Sequence, residues 1–352
     1  MSQQRFPEIT VAGTPREMGR QLGEACREQV RGFCDYALTA VNKTVAIPAA
    51  LATRIANESM AYVQRFSPHL LEELEGLAES ADVSVEDLML LQVRNQFHDG
   101  MVQGCTAVAL AADVTQGGRT LVAQNWDADP ALDAFTVVLT RRPQTDPAYM
   151  SVTQAGLISY IGMNAAGFAA CVNTLPAPAR DVGVPHYFSL RTMFEQSTCA
   201  AAVAQLESAH RAIPVNIMTT SDSGPANIEG YVDEVRVVDG DKYLVHTNHC
   251  LCSDREWINA EFPELIQSHA RQQRMTELLD KSPSWSVSRL QELLSDHDAF
   301  PKGICRHAND HPRHGFWVTV FSVIMDPEAG KMYLTRGNPC SEVYETYDLD
   351  VS

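Results

Sequence analysis

Apolar residues in the first hundred positions recur at helical spacing; from Cys105 onward they switch to the two-residue alternation of strands. Thr14-Pro15 supplies an N-cap and a proline at the first helical position, and Met18, Leu22, Cys26, Val30, Phe33 and Ala37 follow on one face. A second helical pattern covers Ala49 to Phe66, and Ser67-Pro68 opens a third with Leu70, Leu71, Leu74 and Leu77 on one side. Ser84 opens a fourth, with Asp87 in the place a capping box gives to Glu or Gln; Leu88, Leu90, Leu91 and Val93 form its apolar face. The spacing predicts an all-helical layer that ends near Phe97.

The stretch Asp99 to Leu110 marks the change. Thr106 to Leu110 reads as a strand, Gln116-Gly117-Gly118-Arg119 as a hairpin turn, and Thr120 to Trp126 as the returning strand. Strands follow at Phe135–Leu139, Tyr149–Gln154, Leu157–Met163 and Phe168–Asn173, the last two joined by the turn Asn164-Ala165-Ala166-Gly167. Helices at 187–196 and 199–208 precede strands near Ile217, at 228–232, 235–238 and 243–247. Helical spacing returns at 262–279 and 287–294, and a hairpin of 317–325 and 331–336 ends the pattern. Short turns between successive strands imply antiparallel pairing. Strand blocks flanked by helix pairs imply an α+β fold of two packed sheets with helices outside.

Composition narrows the function. The chain has 352 residues, 45% hydrophobic and 20% charged, with a formal net charge of -17. Without a basic cluster, this acidic chain is a poor candidate for phosphate-backbone binding, and no nucleic-acid partner is expected. The start of the chain shows no apolar leader segment, and no apolar run reaches membrane-spanning length, so the expected location is cytoplasmic, with no membrane partner. The 9 cysteines are an odd number without a C-x-x-C pair, a pattern of reduced thiols.

Cys105 lies at the helix-to-strand boundary behind Gly104. A thiol with a pKa of about 8.5 needs a base, and a cysteine at a chain start carries one in its α-amine, at about 7.7–8.0. A cut before Cys105 creates that arrangement, and Gly104, lacking a Cβ, allows the close approach that attack on its carbonyl needs. The alternative is a buried cysteine at a strand start. The hairpin returns Asn125-Trp126-Asp127 beside Cys105, where Asp127 holds the amine by a charge-assisted bond or serves as a strand-end residue. Asn248, between His246 and His249, is a candidate oxyanion donor; Asn173 offers its backbone N–H or side chain. His246 or His249 as base in an uncut cysteine hydrolase is a further alternative.

Other clusters read as structural. His297, His307, His311 and His314 match no standard zinc spacing and predict a solvated loop without metal. Cys250 and Cys252 read as packing and Trp126 as core or pocket wall. Arg306 either binds a substrate carboxylate or holds a loop.

These elements in order resemble the acyl-coenzyme A:6-aminopenicillanic acid acyltransferase family, cysteine peptidases within the Ntn hydrolases. The matching segments are Gly104-Cys105-Thr106, Gln124-Asn125-Trp126-Asp127, Gly162-Met163-Asn164-Ala165-Ala166-Gly167, Gly183-Val184-Pro185, Val245-His246-Thr247-Asn248-His249-Cys250 and Ile304-Cys305-Arg306. Gly13-Thr14-Pro15 and Arg94-Asn95-Gln96-Phe97 also fit. The resemblance implies self-cleavage at Gly104–Cys105, giving a helical segment 1–104 and a catalytic segment 105–352 that stay together as an αββα sandwich of two antiparallel sheets. It implies Cys105 as nucleophile and base, Asp127 as the residue orienting its amine, and Asn248 with Asn173 as the oxyanion site. Arg306, Trp126 and Thr106 are candidate substrate contacts. The expected activity is hydrolysis of a linear amide in a small N-acyl amine through a thioester, without cofactor. Transfer of an acyl group from an acyl thioester or amide to a small amine is the alternative, and a silent binding scaffold the third reading.

Overall fold

The computed structural model describes residues 5–42, 47–97, 104–262, 264–312 and 314–350. Residues 99–103 of the Asp99–Leu110 stretch lie outside the described residues.

The chain opens with a strand, β1 (Glu8–Gly13), followed by α1 (Pro15–Ala25), α2 (Arg27–Asn42), α3 (Ala49–Phe66), α4 (Pro68–Ala81) and α5 (Val85–Val93). Ser84 closes the capping box that the sequence predicts, and Thr14, expected as an N-cap, also closes one with Glu17, each accepting from the backbone three residues on. The single predicted first helix is two, divided at Cys26, which keeps its buried face through the break. β1 corrects the all-helical expectation. Its six residues pair in parallel with a later strand, so the first segment contributes an edge to a sheet. The alternation Ile9-Thr10-Val11 carried that signal and was overshadowed by the strong cap behind it.

Two hairpins start the rest: β2 (Gly104–Leu110) with β3 (Leu121–Ala128), then β4 (Thr136–Pro143) with β5 (Tyr149–Gln154). After them come β6 (Ile161–Asn164), β7 (Ala169–Thr174), α6 (His186–Phe194), α7 (Cys199–Ser208), β8 (Val215–Ser221), β9 (Gly224–Gly230), β10 (Val235–Asp239) and β11 (Tyr243–His246). The chain continues through α8 (Ile258–Glu261), α9 (Ser268–Leu279), α10 (Val287–Leu294), β12 (Val318–Asp326), β13 (Lys331–Leu334) and β14 (Glu345–Asp348). The last strand is absent from the sequence pattern; it is short and only partly buried. The predicted helix from Phe262 does not run through to Leu279, because Ile266 and Gln267 take positive φ (42° and 56°) and the helix restarts at Ser268.

One sheet has the order β1-β4-β5-β6-β7-β8-β9-β10, the other β11-β2-β3-β12-β13-β14. Apart from the β1–β4 pair, the pairings within them are antiparallel. β2 and β3 lie against β7 and β8, so the sheets stack face to face. Alternation in β2 divides its side chains between two cores. Cys105, Ala107 and Ala109 face the space between the sheets. Val108 and Leu110 face outward onto Met275 and Leu279 of α9 and Leu290 and Leu294 of α10. On the far face of the other sheet, Phe194 of α6 stacks on Tyr149 and meets Phe168. The order of layers is helix, sheet, sheet, helix, the αββα arrangement expected.

Buried contacts tie the first segment to the rest. Glu73 on α4 receives Arg141 Nε and Arg191 Nη1, each at 2.7 Å, with all three side chains at most 2% exposed. Gln92 Nε2 donates to Gly156 O at 2.8 Å while its Oε1 accepts from Ile158 N at 3.1 Å.

Candidate active site

β2 begins at Gly104, so Cys105 is the second residue of a central strand. The ladder sets Gly104 opposite Asp127 and Cys105 opposite Trp126. Because side chains alternate, the thiol points between the sheets, whereas Thr106 and Asp127 lie on the face toward α9 and α10. The carboxyl therefore sits beside the backbone at the start of β2, on the other side of the strand from the sulfur.

That backbone is held by side chains from two later elements. The Cys105 N–H donates to Asn248 Oδ1 at 3.0 Å. Arg271, on the buried face of α9 with Met275 and Leu279, donates through Nη2 to the same Oδ1 at 2.7 Å. Its Nη1 donates to the Cys105 carbonyl and to Thr106 Oγ1, the latter at 2.8 Å, and its Nε to Ile266 O at 2.9 Å. Asn248 follows β11 and is aligned by Ser268, whose Oγ accepts from Asn248 N at 2.8 Å. Asn248 Nδ2 donates to Thr174 O at 2.9 Å.

Asp127 is fully buried. Thr319 Oγ1 donates to its Oδ1 at 2.7 Å, and Thr319 Oγ1 in turn accepts from Arg306 N at 2.9 Å. Oδ2 has no hydrogen-bond partner among the described residues. Burial pushes the carboxyl up to about 6, against the pull of Arg271 and Arg306. Burial also pushes the Cys105 thiol well up and Asp127 adds to it, while Arg271 and the N–H groups of Asp127 and Thr174 act in the opposite direction. The thiol is thus neutral in this environment and needs a base brought next to it. Arg271 is lowered to about 10 by the same desolvation, with Asp127 restoring part of it. Two guanidiniums against one carboxyl leave the site with an excess of positive charge, suited to an anion that forms or binds there.

The predicted residues divide as follows. Cys105, Asp127, Asn248 and Thr106 come together around one stretch of backbone. Asn173 is adjacent, but its side chain is committed: Oδ1 accepts from Gln124 Nε2 at 2.6 Å, and Nδ2 donates to Asn216 Oδ1 at 2.8 Å and His246 O at 3.3 Å. The N–H that reaches the thiol belongs to its neighbour Thr174. Trp126 is core, stacked on Phe321 with its Nε1–H on Tyr160 OH at 2.8 Å. Arg306 is buried against Gln267 Oε1 (3.3 Å) and His314 O (3.1 Å), without a carboxylate partner among the described residues. His246 is spent on a buried contact with Glu229 Oε1 at 2.9 Å through Nε2 and on Thr247 O at 2.9 Å through Nδ1, so neither ring nitrogen is free to serve the thiol. Burial drives His249 down to about 3, and its Nδ1 bonds Ser268 Oγ at 2.7 Å.

Arg271, Ser268 and Thr319 escape a motif reading. Arg271 did leave a trace: it is the one charged residue in register with Met275 and Leu279 on the buried face of its helix. Gly104 also has a packing reason. A Cβ there would lie 1.6 Å from Ile266 Cδ1 and 2.5 Å from its Cγ1, and that side chain is buried in one cluster with Leu265 and Trp317. Beside the thiol, a mostly apolar cleft lined by Tyr160, Val172, Thr174, Ile213 and Val215 also carries His186, which burial drives down to about 3.

The profile of the acyl-coenzyme A:6-aminopenicillanic acid acyl-transferase family matches residues 114–341. The chain is 29% identical over 339 residues to the 40 kDa form of acyl-coenzyme A:6-aminopenicillanic-acid-acyltransferase from Emericella nidulans, covering 94% of this chain and 92% of that protein. Among solved structures, a variant of conjugated bile acid hydrolase from Clostridium perfringens overlaps 70% of this chain and 98% of its own at a TM-score of 0.49 and 14% identity. Penicillin V acylase from Agrobacterium tumefaciens overlaps 70% of this chain and 88% of its own at 0.46 and 15%.

Proposed function

The chain belongs to the acyl-coenzyme A:6-aminopenicillanic acid acyltransferase family, and from that premise we propose that it is a self-processing, N-terminal-cysteine amidohydrolase. The observation that carries this reading is the grip on Cys105: a fully buried thiol, its N–H on Asn248 Oδ1 at 3.0 Å and an unpaired Asp127 oxygen beside the same stretch of backbone.

Maturation begins with attack of Cys105 Sγ on the Gly104 carbonyl. The C–N bond breaks, the nitrogen becomes the Cys105 α-amine and takes the thiol proton, and a thioester links Gly104 to the sulfur. Water hydrolyses the thioester to the Gly104 carboxylate and a free thiol. The new ammonium then finds Asp127 Oδ2 and Asn248 Oδ1 as partners, a charge-assisted pairing that orients it. Residues 1–104 and 105–352 stay together as one compact unit, supported by the buried Glu73–Arg141–Arg191 cluster and the β1–β4 pairing.

In turnover the amine removes the proton of Cys105, whose sulfur attacks the carbonyl carbon of an N-acyl amine. The oxyanion is stabilised by Asn248 Nδ2 and a backbone N–H at Asn173–Thr174, with the Asn173 side chain in a supporting role because its own hydrogen bonds are filled. Collapse expels the amine with the proton held by the α-amine, and water resolves the thioester to a carboxylic acid. The mostly apolar lining of the cleft beside the thiol favours an apolar acyl group, which the cleft must widen to admit. The backbone N–H of Arg306 positions Thr319, which donates to Asp127, and the Arg306 guanidinium adds positive charge that favours the ionised carboxylate.

Transfer of the acyl group to an amine is the second reading, favoured by the activity in the name of the Emericella nidulans relative. Hydrolysis takes precedence because water reaches a thioester unless an ordered amine pocket excludes it. The nine unpaired cysteines support a reducing, cytoplasmic location, and no helix among the described residues is long and apolar enough to cross a membrane. The test is partition of one acyl-enzyme. One N-acyl donor is supplied, candidate amines are varied, and acid is measured against new amide. Acid as the main product at millimolar amine supports the hydrolase, and diversion of most acyl groups into amide overturns it in favour of the transferase.

A further inference from the structure

The loop that delivers Arg306 has a second constellation at its back. His297, Cys305, His307 and Cys340 each offer one ligand atom, and these atoms all lie within 4.8 Å of one another. Cys305 Sγ is 3.6 Å from Cys340 Sγ and 3.7 Å from His307 Nε2, and Cys340 Sγ is 3.4 Å from the same nitrogen. A tetrahedral zinc ion, with Zn–S of about 2.3 Å and Zn–N of about 2.0 Å, has S···S edges of about 3.8 Å and S···N edges of about 3.5 Å. The three separations among Cys305, His307 and Cys340 match those edges within a few tenths of an ångström, and His297, within 4.8 Å of the others, completes the set by a small movement of its exposed ring.

We propose that His297, Cys305, His307 and Cys340 form a structural Cys2His2 site for zinc or a cation of the same class. Three further features favour it. His297 Nδ1 is turned to Ser295 O at 2.9 Å, which leaves Nε2 for the ion and fixes the ring. Asn338 Nδ2 donates to Cys305 Sγ at 3.3 Å, the outer bond that a ligating thiolate accepts. Two thiolates and two neutral imidazoles balance a divalent cation, so the half-buried site carries no net charge. Binding releases the two thiol protons to water. His297 is exposed, which gives the ion a path from solvent.

Four protein ligands close the coordination sphere, so the ion's role is to hold the chain and not to activate water. What it would hold is specific. Cys305 and His307 flank Arg306, and Asn338 Nδ2 also donates to Arg306 O at 2.7 Å. The ion would pin the segment 338–340 that follows β13 to the segment 304–307 that supports Thr319 and Asp127. This departs from the sequence expectation of a metal-free histidine loop. Counting histidines alone grouped the wrong residues: His311 and His314 stack on each other elsewhere. The cysteines that complete the set are separated by more than thirty positions.

The test uses the full chain, purified under reducing conditions, loaded with zinc alone and dialysed. About one zinc per chain is expected by elemental analysis. Loading with cobalt(II) instead should give a thiolate-to-cobalt charge-transfer band and the intense visible bands of a tetrahedral ion. Cys305→Ser and Cys340→Ser should each lose the stoichiometric metal, Asn338→Ala should weaken binding by roughly 10–100-fold, and His311→Ala should keep it. Where the serine variants do not fold, the wild-type cobalt spectrum decides. Absence of bound zinc, a cobalt spectrum without the thiolate band, retention of metal by both serine variants, or a Cys305–Cys340 disulfide in protein isolated from a reducing cytosol would each overturn the site.

Discussion

Substituting Arg271 by lysine keeps a positive charge on α9 but removes the fork. In the native chain one guanidinium reaches Cys105 O, Thr106 Oγ1, Asn248 Oδ1 and Ile266 O. A single ammonium at the end of a different stem satisfies at most part of that set. Loss of one charged hydrogen bond costs about 1.5–3 kcal/mol, and loss of two about 3–6 kcal/mol. Since ~1.4 kcal/mol is tenfold in a rate, a lower bound of one bond predicts a tenfold slowing, and full expression of two bonds predicts on the order of 10⁴-fold. The expected result for Arg271→Lys is slower self-cleavage within that range, measured as conversion of intact chain to fragments on a denaturing gel over time. Arg271→Ala also removes the cation nearest in effect to Asp127. Its carboxyl, already pushed up to about 6 by burial, should rise further. If ionised Asp127 is the working form in the uncut chain, self-cleavage slows as pH drops through that value, and the acid limb should move to higher pH in Arg271→Ala but little in Arg271→Lys. Thermal melts of both variants separate a slowed reaction from a loosened fold. Processing of Arg271→Lys at the native rate, with an unmoved acid limb in Arg271→Ala, refutes the reasoning.

Three other substitutions follow from the geometry. Asn248→Ala should lower turnover of processed protein by roughly 10²–10³-fold, the loss typical of one oxyanion donor, and near-native turnover removes Asn248 from that role. Gly104→Ala places a methyl 1.6 Å from Ile266 Cδ1; it should stop or strongly slow cleavage, and Ile266→Ala in the same chain should recover part of the rate, as a time course by mass spectrometry would show. Glu73→Gln leaves buried Arg141 without its carboxylate and Arg191 with only Glu195 at 3.5 Å, and should destabilise by about 3–5 kcal/mol, read from urea denaturation. Burial raises the Glu73 pKa, but Arg141 and Arg191 outweigh it and hold the group below its usual range. Its stabilisation is therefore present above the ordinary carboxylate pKa and disappears as pH falls through the lower folded value, so the gap between variant and wild type should close in acid.

Much of this architecture is legible in the residues. β5, α3, α7 and α10 match the spacing to the residue at nearly every end, because caps and alternation agree there with the tertiary packing. The pairing of Cys105 with the returning Asn125-Trp126-Asp127 follows from the hairpin whose connection, residues 111–120, carries the Gly117-Gly118 turn. Where the reading fell short, long-range contacts decide. β1 is a strand only because β4 lies beside it, and a strand in front of a good helix cap has a weak local signal. The break at Ile266–Gln267 has no proline or glycine to announce it. Arg271 belongs to the site because α9 lies across the start of β2, and Cys340 reaches Cys305 because β12 and β13 fold back beside that loop. Asn173 lies at the end of β7, and whether its side chain is free depends on Gln124 and Asn216, on two other strands.

Intact-mass spectrometry of the purified chain, with Cys105→Ala beside it, tests the central claim most directly. The account predicts that denatured wild-type protein separates into residues 1–104 and 105–352, that the two elute together before denaturation, and that Cys105→Ala keeps the mass of one continuous chain. A catalytically active wild-type preparation whose mass is that of the uncut 352-residue chain, or a Cys105→Ala chain cut at the same bond, would contradict it.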